Sequence, residues 1–230
     1  MMMIFFIKRE ASLETDNNYK ENINLISLAR NYKDFPLYRS PEALLNAVSQ
    51  SLPVLMLTTF FGPASAGFYT LGKTVLSAPS QLLAKSVTDV FYPRISEAAN
   101  NGENLYVLIK RATLALALVG LIPFGLIFLF APYMFGIIFG SGWETAGEYT
   151  RWIAVWSYIG FLNRPSVAAI PVISAQLFFL KYSICSIVIR FIALFLGYLI
   201  YENDLIAIAM FSITSAILNL ILILSVSKKS

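Results

Sequence analysis

The sequence predicts an all-α integral membrane protein built on a bundle of six transmembrane helices. Apolar residues make up 57% of the 230 residues and charged ones only 13%, against about 25% charged in a soluble domain. Six hydrophobic segments follow one another between residues 42 and 226, and several approach the ~20 apolar residues that span a bilayer. Lysine and arginine collect at alternate ends of these segments, the pattern that orients helices in a membrane. With a mean hydropathy of +0.69, a soluble core in so short a chain would leave far too much apolar surface exposed.

Residues 1–7, MMMIFFI, are too short for a secretory signal, and the charges of Lys8 and Arg9 follow the apolar run instead of preceding it. The run reads as the cytoplasmic end of a truncated transmembrane helix. Residues 8–41 are polar and read as a cytoplasmic linker, with a short helix at Ile23 to Tyr32. The transmembrane region, 42–226, begins with a span at 42–61 that stops at Phe61-Gly62-Pro63, a tight-turn signal. A longer, less apolar span covers 64–90, and 106–130 is nearly pure hydrocarbon. Between 131 and 143, APYMFGIIFGSGW reads as a short interfacial segment. Spans at 147–172, 176–200 and 204–226 follow, the last two joined by YENDL, and 227–230 is a cytoplasmic tail.

Thirteen of the seventeen Lys and Arg fall in the linker, in the loops after the second and fourth spans, and at the C-terminus. The three opposite loops carry none, but hold Glu144, Glu148, Glu202 and Asp204. The linker and the C-terminus are therefore expected in the cytoplasm, with Trp143 and Tyr133 in an outer aromatic belt. The net charge of +4 describes topology and does not point to nucleic acid.

Histidine is absent, and the one cysteine, Cys185, lies in an apolar run. A disulfide framework, a Cys/His zinc site and histidine-based acid–base catalysis are thereby excluded. Four cations remain inside spans. Arg151 follows Glu148 by three residues, and Lys85 precedes Asp89 by four, so both have a local partner within reach. Lys73 and Arg190 do not. Lys73 lies nine residues past Ala64, about 14 Å along a helix and near the middle of a ~30 Å core. A cation there costs roughly 2.5–3.5 kcal/mol unless it faces protein or a wet cavity.

Helical spacing favours a cavity. Lys73, Ser77, Gln81 and Lys85 are four apart and share a face with Thr70. Asn46, Ser49 and Gln50 precede Pro53 in the first span, Ser183, Ser186 and Arg190 recur in the fifth, and Ser212, Ser215 and Asn219 in the sixth. The plainer reading of the small polar residues is that they bind helices together. Pro53, Pro79, Pro123, Pro165 and Pro171 lie within or close to spans, where proline removes helical hydrogen bonds and promotes bends.

Four stretches carry a resemblance: YKDFPLYRSPEALLNAVSQSLPVLML, FFGPASAGFYTLGKTVLSAPSQLL, VFYPRISEAANNGE and FLNRPSVAAIP. Together they resemble the C-terminal half of bacterial polysaccharide-biosynthesis flippases, the O-antigen and lipopolysaccharide exporters of the multidrug/oligosaccharidyl-lipid/polysaccharide exporter superfamily. The resemblance runs over about residues 1 to 226 and includes no catalytic motif. It implies a six-helix bundle forming one lobe of a two-lobed flippase in the inner membrane. It also implies a cargo of undecaprenyl-pyrophosphate-linked oligosaccharide and no cofactor. A central cavity would then need walls from two lobes, so the chain is expected to be a fragment or a half transporter completed by an N-terminal lobe. Lys73, Ser77, Gln81, Asn46, Gln50 and Arg190 are the candidate cargo-binding residues, the cations for pyrophosphate and the rest for sugar hydroxyls.

Other readings stay open. A cation-coupled multidrug antiporter would want an intramembrane carboxylate, whereas Asp89 and Glu148 sit near span ends. A membrane glycan polymerase or ligase would be expected to carry a large polar outer loop, whereas Ala131 to Gly147 is mostly apolar. An accessory subunit or a nonfunctional fragment is the remaining class.

Overall fold

The computed structural model describes residues 40–228, leaving aside the side chains at 40, 42, 78–80 and 82–88. The expected helix at Ile23 to Tyr32, the remnant at 1–7 and the Lys85–Asp89 pair lie outside the described residues. The chain divides into two units, Met1–Pro41 and Glu42–Ser230. Of the first, only the opening two residues of a helix are described.

The described residues are helical and contain no strand. The order is α1 (Ser40–Phe61), α2 (Pro63–Asn100), α3 (Leu105–Phe139), a 3₁₀ turn (Ser141–Trp143), α4 (Glu144–Leu162), α5 (Arg164–Ala169), α6 (Gln176–Tyr201) and α7 (Asp204–Ser227). Four of them are long and apolar enough to cross a membrane: α1 over Ala43–Phe61, α3, α6 and α7. The helices α2 and α4 fall short of that apolarity because they carry the hydroxyls and cations that the sequence places in the second and fourth segments.

Local signals set most boundaries. Gly62, at φ 93°, separates α1 from α2, and Pro63 opens α2, where its missing N–H costs no helical bond. Asn104 caps α3 by accepting from the Val107 N–H at 3.2 Å, and Asn203 caps α7 by accepting from Ile206 at 3.1 Å. Between α6 and α7, Glu202 takes the left-handed conformation that closes the turn.

Three expectations need correction. The run 131–143 is not a separate interfacial segment. Its first nine residues extend α3 to Phe139, because apolar i, i+4 neighbours continue past Pro132 and α4 packs back against this stretch. The second segment does not stop at 90 but continues as α2 to Asn100. There Phe91 and Ile95 are buried with Ile109, Leu222 and Val226 in an apolar cluster. The fourth segment is not one helix to 172. It ends at Leu162, and α5 restarts after Asn163 with Pro165 in its first turn, since Pro165 has no N–H to donate to the Phe161 carbonyl and continue the helix.

The remaining core runs from the cavity wall, at Leu76 and Phe161, to the opposite end of the bundle. Leu57, Tyr69, Tyr149, Ile153 and Ile208 are buried in one cluster, and Met56, Leu194, Ala207 and Phe211 in a neighbouring one. At that end Ser65 donates a hydrogen bond to the Asp204 carboxylate. The Glu148–Arg151 pair forms on α4 at 3.0 Å.

Candidate functional site: a cationic cavity

Five long helices and α5 enclose a cavity of about 530 Å³. Its wall is drawn from the first half of α1, the middle of α2, the second half of α4, the start of α5, the first half of α6 and the second half of α7. Along α6 it runs from Phe179 to Arg190, eleven residues or about 16 Å. The antiparallel order of the helices places all these stretches at the same end of the bundle.

All six sequence candidates reach this cavity: Asn46 and Gln50 from α1, Lys73, Ser77 and Gln81 from α2, and Arg190 from α6. The four-residue spacing on α2 brings Lys73, Ser77 and Gln81 onto one wall. Thr70 shares the helix face but does not reach the cavity; its hydroxyl donates to the Ala66 carbonyl at 2.7 Å. Ser183, Ser186 and Arg190 line the α6 wall together. Of the three polar candidates on α7 only Asn219 does so, while Ser212 and Ser215 are buried among helices as small packing residues.

Among the described residues, three cations line the wall, Lys73, Arg164 and Arg190, and no Asp or Glu does. Lys73 Nζ donates to the Gln50 carbonyl at 3.1 Å. Arg190 donates through one terminal nitrogen to Ser49 Oγ at 2.8 Å, and its Nε is buried without a partner. Arg164 stays exposed and forms no ion pair among the described residues. Amides stand beside the cations: Asn163 Nδ2 donates to Asn219 Oδ1 at 3.0 Å, and Asn163 Oδ1 is left without a partner. Chemically, the cavity presents unneutralised positive charge next to donors and acceptors suited to hydroxyl groups.

Sequence reasoning assigned Arg164 to loop charge and so missed it as a cavity residue. Its signal was Asn163-Arg164-Pro165, where a helix must stop and aim a cation from its end. The residues that line this cavity all come from this one chain. Among the described residues no group of three or more His, Cys, Asp or Glu is placed to hold a metal ion.

No curated protein and no solved structure matches the chain. The family model described as polysaccharide biosynthesis protein matches residues 18–148. That stretch takes in α1 to α3, the opening of α4 and five of the six sequence candidates. The match covers more than half of the chain, and four helices are apolar enough to cross a membrane: the chain belongs to the polysaccharide biosynthesis protein family.

Proposed function

We propose that the chain carries lipid-linked oligosaccharide across the inner membrane during assembly of lipopolysaccharide or another surface polysaccharide. It acts as one six-span lobe of a flippase, with α2 and α4 as the two spans of lower apolarity, and a complementary N-terminal lobe completes the carrier. The linker and the C-terminus face the cytoplasm, so the cavity opens toward the side where such cargo is made. No covalent step is involved. The cargo is of the undecaprenyl-pyrophosphate type, with the pyrophosphate at the cations and sugar hydroxyls at the amides and serines. One observation supports this reading above the rest: among the described residues, three cations and no carboxylate line a single cavity. In a low-dielectric setting such a wall favours an anionic guest.

The test is binding of an undecaprenyl-pyrophosphate-linked sugar to the full chain in lipid nanodiscs. Lys73→Glu is expected to weaken binding about ten- to a hundredfold, the scale of one lost charge-assisted hydrogen bond. Protein abundance should stay near normal, and Lys73→Arg should retain more binding because the charge persists. Unchanged affinity in an abundant Lys73→Glu protein would refute the proposal.

A further inference from the structure

We infer that the first half of α1 is a gate, latched shut by the same two cations that would hold an anionic guest. The inference rests on the anion-binding reading above and adds the conformational step coupled to it. Among the described residues, the first half of α1 has two polar links to the rest of the bundle. They are Arg190 to Ser49 Oγ at 2.8 Å and Lys73 to the Gln50 carbonyl at 3.1 Å. Its apolar side chains add little, for Leu44 is 67% exposed and Val48 46%.

The second half of α1 is anchored differently. Met56 and Leu57 are buried, Phe60 stacks on Tyr198 with centroids 4.6 Å apart, and Phe61 meets the same ring edge-on at 5.4 Å. Pro53 stands between the halves. Having no N–H, it leaves the Ser49 carbonyl without its helical donor, so the helix is weakest next to the residue that Arg190 grips. One half of α1 is thus fixed by packing, the other by two hydrogen bonds, with a structural hinge between them.

Both bonds are replaceable. A neutral hydroxyl and a backbone carbonyl are weaker acceptors for a cation than a phosphate oxygen. An entering pyrophosphate therefore draws Arg190 and Lys73 away from Ser49 and Gln50, and the first half of α1 is released as the guest is bound. The gate opens only as far as the guest prefers the open state, which makes guest charge the driving quantity.

The experiment places spin labels at Leu44→Cys on α1 and at the native, exposed Cys185 on α6, in the full chain in nanodiscs. Inorganic pyrophosphate is the probe, and its binding is followed in parallel by phosphorus NMR. Pyrophosphate is expected to lengthen the 44–185 distance by about one helical turn, ~5 Å, while chloride at equal ionic strength does not. Ser49→Ala should populate the long distance before any pyrophosphate is added. Arg190→Gln combined with Lys73→Gln should show it throughout and give no response. Bound pyrophosphate with an unchanged distance would overturn the latch while sparing the anion site. No binding of pyrophosphate at all would overturn both.

Discussion

The two ends of the bundle are built on opposite principles. At the end holding Asp204, Ser65 and Glu144, helices touch backbone to backbone. A Cβ on Gly147 would lie 2.7 Å from the Pro132 nitrogen, and one on Gly197 would lie 2.5 Å from the Ala207 Cα. At the cavity end, polar side chains line open space between helices, and a Cβ on the cavity-lining Gly160 would meet nothing within 4 Å. The first end excludes water and fixes helix positions; the second keeps space and unpaired charge. The proposed carrier role would draw on both, since charge is useful in a membrane only where a rigid frame holds it apart from neutralising partners.

Adding methyl groups breaks this contrast most directly. Gly147→Ala and Gly197→Ala force backbone against backbone and are each expected to cost on the order of 3 kcal/mol. Gly72→Ala should cost less, because its Cβ would press first on a side chain, the Thr150 hydroxyl, and the main loss is that hydroxyl's bond to the Ala146 carbonyl at 2.6 Å. Gly160→Ala should be neutral or stabilising by up to about 1 kcal/mol, since alanine favours helix. Thermal unfolding midpoints of the purified variants in detergent check the series. A loss at Gly160 matching that at Gly147 would erase the distinction between the ends.

A smaller effect is expected from the polar contact at the tight end. Asp204 accepts from the buried Ser65 hydroxyl and, through its other oxygen, from the Leu205 N–H at 2.8 Å in the first turn of α7. Asp204→Asn keeps the shape but removes the charge, weakening both the hydrogen bond and the favourable placement at a helix N-terminus. A loss of about 1–2 kcal/mol is expected. The same measurement tests it, and an unchanged midpoint would mean that the end is sealed by apolar packing alone.

Much of the cavity was legible in the sequence because a membrane simplifies inference. A lysine nine residues into a span has few tolerable environments, so Lys73 pointed to a polar interior, and helical spacing supplied Ser77 and Gln81. Arg190 followed from depth in the same way. What was not legible depended on where helices stop. Arg164 looked like a loop cation until the break at Asn163 placed it at the cavity. The run 131–143 looked interfacial until packing against α4 extended α3 through Pro132. Ser212 and Ser215 carry the same spacing signal as Ser183 and Ser186 yet face helix neighbours, because the rotation of α7 is fixed by tertiary contacts such as Gly197 against Ala207.

The smallest expected effect separates the cations of the basic end from one another. Arg94, late in α2, holds Glu103 through two hydrogen bonds at 2.7 and 3.1 Å, with Glu97 3.8 Å away. Carboxylates are therefore present at this end, but these pair outside the cavity, whose described wall holds three cations and no carboxylate. The hydrogen bond from Arg94 holds the Glu103 carboxyl below its usual range. A lowered folded-state value means that the pair contributes its full stability above the ordinary carboxylate pKa of about 4.3 and loses it as pH falls through the lowered value. Both side chains are more than two-fifths exposed, so the contribution is small and screened by salt. The difference in unfolding midpoint between the native chain and Glu103→Gln should be slight at neutral pH, shrink with added salt, and vanish in acid. A difference independent of pH would mean that Glu103 acts through packing, and that Arg94 is no better neutralised than the cations in the cavity.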